Sequence, residues 1–250
     1  GMELLQISTL LHDDVIDGSN RRRHRFTVNA RYGNEAAVLT GDWIFARAMG
    51  LLAGDMPPRV RALAARTAET VCRGEIRELA LHRFKNRDVR AYLAMITDKT
   101  ASLLGACCEG GARLAGASEA HVRALAGYGR EFGLAFQIRD DILDWEGSRA
   151  RMGKNPGEDI RSGKATLPML LGLRTAPPAG RQRLRGALAG RRVPAFELRR
   201  VLADCGALAE AQARAWQHAR RARARVADLP ETAAKTALVN LAEFAARRDH

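Results

Sequence analysis

Two short acidic clusters with the same spacing constrain this chain more than anything else in it. Asp13-Asp14-Val-Ile-Asp17 and Asp140-Asp141-Ile-Leu-Asp144 both read D-D-x-x-D, and each follows an apolar run of helical period. At 3.6 residues per turn, the first and last carboxylates of each triplet stack on one helix face, and the middle one is turned by roughly 100°. Three anions that close repel one another and are costly beside a core. A hard divalent cation shared among them relieves the repulsion, and an oxygen-only donor set suits Mg²⁺. A single triplet could be an acidic turn in solvent. Two copies far apart in the chain predict two helices facing one site that holds metal and a polyanion.

The formal net charge of +13 invites a nucleic-acid or membrane-surface reading. Only five of the 41 basic residues are lysine (Lys85, Lys99, Lys154, Lys164, Lys235), and the rest are arginine. Arg and Ala together dominate the tail, as codon bias in a GC-rich genome would produce. That reads as a solvated surface, with no nucleic-acid motif beside it. The positions that still use lysine stand out against this background.

Hydrophobic content of 46% in 250 residues permits one sizeable core, so a single domain over 1–250 is expected. No run of about 18 uncharged apolar residues is found, so no bilayer span is expected. No basic-then-apolar leader precedes the first helix, and a cytoplasmic location follows as the expectation. Cys72, Cys107, Cys108 and Cys205 have no C-x-x-C spacing and are expected to be small buried thiols.

Long Ala/Leu/Arg/Glu stretches and the want of strand-period alternation make the fold class all-α, a helical bundle around a central cavity. Residues 2–17 read as a helix with Leu4, Leu5, Leu11 and Val15 inward, ended by Gly18-Ser-Asn. The pattern starts at once, with no cap, which points to missing N-terminal helices. Arg21-Arg-Arg-His-Arg25 then forms a basic loop beside the first acidic cluster, suited to bidentate capture of phosphate oxygens. The apolar helix from Gly33 is expected to be central. Residues 59–82 put Val60, Leu63, Ala64, Val71 and Leu79 near one stripe, and a helix over 87–114 carries Asp98-Lys99-Thr100 in its middle. Ser118 starts the helix that ends in the second acidic cluster. The Gly-rich loop after it brings Lys154 and Lys164, which could close a diphosphate site from above. The Ala/Arg-rich end, 198–250, reads as packing and surface.

Taken together, Glu3-Leu-Leu-Gln6, Leu10-Leu-His-Asp13-Asp14-Val-Ile-Asp17, Gly41-Asp42, Asp98-Lys99-Thr100, Phe136-Gln137-x-x-Asp140-Asp141-x-x-Asp144 and Gly153-Lys154…Gly163-Lys164…Leu167-Pro168 resemble the trans-isoprenyl (polyprenyl) diphosphate synthase family of the long-chain bacterial type, over residues 3 to about 170. The resemblance implies that isopentenyl diphosphate condenses with an allylic diphosphate, and it implies a homodimer. By it, Asp13, Asp17 and Asp140 lead the capture of three Mg²⁺, supported by Asp14, Asp141 and Asp144. Arg22, Lys99, Gln137 and Lys164 hold the allylic diphosphate, with Lys154 nearby and Thr100 beside Lys99. Arg23 and Gln6 contact isopentenyl diphosphate.

The chemistry fits these residue types. Breaking the C–O bond places negative charge on the departing diphosphate, and metals and fixed cations there stabilise the transition state more than the ground state. Product length should follow the depth of an apolar tunnel below the first cluster. Ser8 and Thr9, one turn back, are small, so a product of C20 or longer is expected, with Phe45 and Met49 as floors.

Two departures from the family pattern stand out. The loop reads Arg22-Arg23-His24-Arg25-Phe26-Thr27 where the family has Arg-Arg-Gly-x-Pro-Thr, and the upstream Gly-Lys-Arg segment is absent from these residues. A short-chain farnesyl or geranylgeranyl synthase and a non-catalytic prenyl-diphosphate-binding subunit remain as alternatives. Asp140-Asp141-x-x-Asp144 argues against a class I terpene cyclase.

Overall fold

A computed structural model describes residues 1–22, 25–146 and 157–249. Its helices are α1 (Met2–Ile16), α2 (Val28–Tyr32), α3 (Asn34–Ala53), α4 (Pro58–Arg83), α5 (Val89–Ile96), α6 (Ser102–Leu114), α7 (Glu119–Glu146), α8 (Glu158–Arg161), α9 (Leu167–Thr175), α10 (Pro178–Leu188), α11 (Ala195–Asp204), α12 (Ala207–Arg225) and α13 (Ala233–Arg247). A π-helical turn, Thr97–Ala101, joins α5 to α6 without a break. Among the described residues one ladder is present, two residues long, Arg21–Arg22 against Arg25–Phe26 in the basic loop. The all-α expectation therefore holds.

Local chemistry sets the helix starts. Thr27, Asp88, Ser118 and Thr232 each accept a backbone N–H from the first turn that follows them. Pro58 opens α4, where a missing N–H costs nothing.

The long helix α7 runs through the middle of the bundle, packed along α6 and α12 and against α13 and the π turn. Its Ile138, Ile142 and Trp145 join Leu167, Leu171, Leu198 and Leu202 in the main core. On α12 the buried stripe is Ala207, Ala211, Ala215, Ala219 and Ala222, a row of small residues that lets the helix lie close to α7. Its arginines face outward, so this part of the Ala/Arg-rich end is packing and surface as read from the sequence. A smaller core joins Leu5 of α1 with Ala48, Ala68, Val71 and Leu103, flanked by Phe45 and Met49. Both residues expected as tunnel floors thus stand beside Leu5, roughly 12 Å along α1 from Asp13 at helical rise.

Three expectations need correction. The apolar helix from Gly33 is not central. α3 lies on the outside against α1, with Leu39 68% and Trp43 65% exposed. It is long and apolar enough, at mean hydropathy 1.3, to pass a composition test for a membrane span, although Glu35, Asp42 and Arg47 lie within it. Leu79 is half-exposed and leaves the α4 stripe, which buries Val60, Leu63, Ala64 and Val71. Finally, the thiols are not buried. Cys72 and Cys107 ride on outer helix faces, and Cys108 and Cys205 are partly covered.

Candidate active site

The π turn between α5 and α6 is the hinge of the site, because its consecutive residues reach three different helices. Asp98 turns back to α4, where Arg73 Nε donates to it at 2.9 Å and Arg77 pairs with it too. Lys99 faces the cavity side, 3.3 Å from Asp13 of α1, 2.8 Å from Glu75 and 2.5 Å from Glu78 of α4. Thr100 Oγ1 donates to Gln137 Oε1 of α7 at 2.9 Å. One turn thus touches the helices of both acidic clusters. Single π turns inside helices are frequent at functional sites.

Gly74 makes the approach possible. A Cβ there would sit 2.4 Å from the Lys99 backbone nitrogen, so α4 can lie against the π turn only because residue 74 has none. The consequence is an ammonium held among three carboxylates. Burial alone would lower the Lys99 pKa, but Glu78, Asp13 and Glu75 outweigh it and hold the group above its usual value. Burial, with Asp13 close by, pushes Glu75 up to about 8 against the pull of Lys99. Glu78 is also partly buried, which would raise it, yet Lys99 and Lys164 together keep it below the usual carboxylate range.

Lys164 closes the same cage from the loop side. Its Nζ donates to Asp17 at 2.8 Å and lies 3.3 Å from Glu78, so Glu78 bridges the two lysines. The segment that delivers Lys164 also binds the second cluster. Gly157 N donates to the Asp144 carbonyl at 2.8 Å, Asp159 N approaches the Asp144 carboxylate at 3.4 Å, and Leu167 N donates to Asp141 at 3.2 Å. The two acidic clusters are therefore fastened to one another by a single stretch of backbone and by the π turn.

Within each cluster the middle carboxylate is turned into the protein. Asp14 is buried and takes both Nε (3.0 Å) and Nη2 (2.9 Å) of Arg22 on one oxygen. Asp141 is buried and accepts from Tyr92 Oη, Gln137 Nε2 (3.2 Å) and the Leu167 N–H. Burial, reinforced by the charge of Asp159, pushes the Asp141 carboxyl well above the ordinary range, and those three donors only partly offset it. Asp140 is reached from an unexpected quarter, with Arg248 Nη2 2.5 Å from its Oδ1.

The remaining sequence-predicted residues are placed as follows. Gln6 is exposed near the start of α1. Ser8 is buried, its hydroxyl donated to the Leu5 carbonyl, and Thr9 is partly buried. Arg23 and Lys154 lie outside the described residues. Sequence reasoning missed Glu75, Glu78, Tyr92 and Arg248. A signal existed for the two glutamates, since a glycine inside a helix followed by acids three apart marks a close approach with a charged face. Nothing in the sequence pointed to Arg248.

Among the described residues no three His, Cys, Asp or Glu side chains converge into a ready-made metal cage. The outer carboxylates of the two clusters, Asp13 and Asp17 in one and Asp140 and Asp144 in the other, are all hard oxygen donors and none is fully buried. Mg²⁺ is commonly held by one or two carboxylates together with substrate phosphates, and the donors present fit a metal of that kind.

A family model described as polyprenyl synthetase matches residues 1–204. The octaprenyl diphosphate synthase of Haemophilus influenzae is 35% identical over 251 residues, covering 100% of this chain and 76% of that one. The nonaprenyl diphosphate synthase of Mycobacterium tuberculosis is 36% identical over 250 residues, covering 99% and 74%. Among solved structures, a polyprenyl synthase from Caulobacter crescentus, complexed with calcium and isoprenyl diphosphate, superposes with a TM-score of 0.93 at 36% identity. That match covers 100% of this chain and 77% of the other.

Proposed function

The chain belongs to the polyprenyl synthetase family, and on that premise we propose that it condenses isopentenyl diphosphate with an allylic diphosphate to build an all-trans polyprenyl diphosphate of C20 or longer. The observation that carries this reading is the cage in which Glu78 bridges Lys99 and Lys164 while each lysine also reaches an acid of the first cluster. Two ammonium groups held charged beside the first cluster suit a diphosphate whose charge grows as its C–O bond breaks. Lys99 and Lys164 orient the allylic diphosphate, Thr100 and Gln137 fix the turn that carries Lys99, and Arg22 acts through Asp14. Bound Mg²⁺, three ions by family likeness, would neutralise the diphosphate and lower the cost of its departure. Asp13, Asp17, Asp140 and Asp144 would hold it, with Asp14 and Asp141 bracing the two helices. Arg23, Lys154 and Gln6 belong to the same proposal as diphosphate contacts. The allylic cation left behind needs an apolar, water-free wall. Ser8 and Thr9 leave room for one, and Phe45 and Met49, beside Leu5, are the floor residues of this proposal. The departed diphosphate accepts the final proton, so no nucleophilic side chain is required.

The assembly is a homodimer. Leu39, Trp43, Ala46 and Gly50 fall on one exposed face of α3, and Cys72, Ile76 and Leu79 on one exposed face of α4. Two apolar stripes left open in one chain are characteristic of a protein–protein interface. Replacing Trp43 and Leu39 by Asp should halve the mass found by light scattering.

The deciding experiment incubates the protein with Mg²⁺, radiolabelled isopentenyl diphosphate and each allylic primer, and sizes the product. Prenyl chains of C20 or more are expected. A product of C15 alone overturns the long-chain reading, and no product overturns the enzyme reading.

A further inference from the structure

The last helix ends against the second acidic cluster, and its attachment is more elaborate than helix packing requires. Arg248 has a side chain only 9% exposed, and its guanidinium lies 3.8 Å from the centroid of the Phe136 ring. Nη2 donates to the Phe136 carbonyl at 3.2 Å and to Asp140 Oδ1 at 2.5 Å. Phe136 and Asp140 are one helical turn apart on α7, so a single guanidinium spans the turn that carries the first carboxylate of the cluster. A nearly buried arginine must be paired, because the desolvated charge is costly alone. Here the partner is a carboxylate that is itself 47% exposed.

The backbone at the end of α13 is fixed as firmly. Arg139 Nε donates to the Arg248 carbonyl at 2.8 Å, and Arg139 Nη1 reaches Gln212 Oε1 at 2.7 Å and Glu146 Oε2 at 2.9 Å. Gln212 in turn donates to the Ala246 carbonyl at 2.8 Å. Arg139 and Gln212 thus anchor the chain so that Arg248 arrives at Asp140 and not at solvent. Gln212, Ala246 and Arg248 all lie beyond residue 204, where the family model stops.

We propose that Arg248 is a positioning residue for metal capture: it fixes the Asp140 carboxylate by engaging Oδ1, so that the other oxygen is presented to a divalent cation shared with bound diphosphate. Among the described residues no hydrogen bond engages that second oxygen. A planar fork stacked on an aromatic ring fixes a carboxylate's direction better than a flexible ammonium can. Loss of a group that orients a metal-binding side chain commonly weakens metal affinity by about 10–100-fold. The inference rests on the enzyme reading above.

The test is calorimetric titration of Mg²⁺ with inorganic pyrophosphate as the ligand. It compares the full chain with Arg248→Gln, Arg248→Lys, Asp140→Asn and the double variant, and with Arg247→Ala as an exposed neighbour. Arg248→Gln should weaken Mg²⁺-dependent pyrophosphate binding by about tenfold or more. Arg248→Lys should fall between Gln and the parent, and Arg247→Ala should match the parent. In the Asp140→Asn background the Gln change should add nothing. Equal binding by Arg248→Gln and the parent overturns the proposal, as does an undiminished loss in the Asp140→Asn background. Should Arg248→Gln unfold the chain, parent-like binding by Arg248→Lys overturns it, and an intermediate value supports it. Failure of the parent to bind pyrophosphate with Mg²⁺ is a separate result, which removes the enzyme reading itself and this inference with it.

Discussion

The two acidic clusters share a spacing, yet the protein surrounds them with different chemistry. Around the outer carboxylates of the first, Asp13 and Asp17, the counter-charges are lysines from the middle of the chain, Lys99 on the π turn and Lys164 on the loop, tied together by Glu78, while Arg22 holds the buried Asp14. Around the second they are an arginine from the far end of the chain and neutral donors, with Arg248 on Asp140 and Tyr92, Gln137 and a backbone N–H on Asp141. Ammonium groups are mobile point charges that can move from a carboxylate to an arriving phosphate. A stacked guanidinium and a buried phenol are fixed fittings. The difference assigns the first cluster the side of the site that exchanges partners when diphosphate arrives, and the second the side that stays rigid.

Both clusters also divide their labour by position. The middle carboxylates, Asp14 and Asp141, are buried and hydrogen-bonded, and the outer ones are partly or fully exposed. The largest expected effects test this division. Asp13→Ala and Asp140→Ala should each cut turnover by about a hundredfold or more. Asp13→Ala should do so with little change in urea unfolding measured in the presence of a chelator, because Lys99 keeps Glu75 and Glu78, whereas Asp140→Ala also leaves Arg248 unpaired and loses stability. Asp141→Ala should behave in the opposite way. It leaves the Tyr92 hydroxyl and the Leu167 N–H without their acceptor, and should lower unfolding stability by about 2–4 kcal/mol. If Asp141→Ala were as stable as the parent, the division between outer and middle carboxylates would be wrong.

A smaller effect is expected at Gly74. Its missing Cβ allows α4 to lie against the Lys99 backbone, and a methyl group has no flexible side chain to push aside there. Gly74→Ala should cost about 1–3 kcal/mol by overpacking. It should also lower turnover, because it shifts the turn that carries both Lys99 and Thr100. A variant that lost stability and kept full turnover would show that the π turn need not be placed so tightly.

Much of this was legible in the sequence, and the reasons differ by residue. The acidic clusters, Lys99, Thr100, Gln137 and Lys164 could be read because their chemistry sits in short contiguous patterns on predicted helices. The structure then brings them to one place through contacts no spacing could reveal. The exposed position of α3 was misread because its apolar residues wrap most of the helix, as in a core, and only packing shows that one face has no partner within this chain. Tyr92 and Arg248 were invisible because each is an ordinary residue for its segment. One acquires its role by meeting Asp141 from 49 residues away, the other by meeting Asp140 from 108. Local pattern carries the charged chemistry of such a site, and tertiary contact carries the parts that hold it still.

Glu78 gives the finest test of the contrast, and the smallest expected change. Among the described residues it is the one acid that touches both lysines, so it competes with diphosphate for them before the substrate arrives. Glu78→Gln keeps the shape and a hydrogen-bond acceptor but removes the charge. Lys99 would still have Glu75 and Asp13, and Lys164 would still have Asp17, so both should stay protonated and near their places. With the competitor neutralised, the allylic diphosphate should bind more tightly and its KM should fall. The lysines, less firmly aimed, should stabilise the departing group less well, and kcat should fall by less than about tenfold. The corresponding change on the rigid side, Gln137→Glu, weakens the hold on Asp141 and places a second carboxylate beside it. It should lower kcat and stability together and leave KM unimproved. Steady-state kinetics on the two variants therefore separate a side that exchanges partners from one that does not, and a fall in KM for both would erase the distinction.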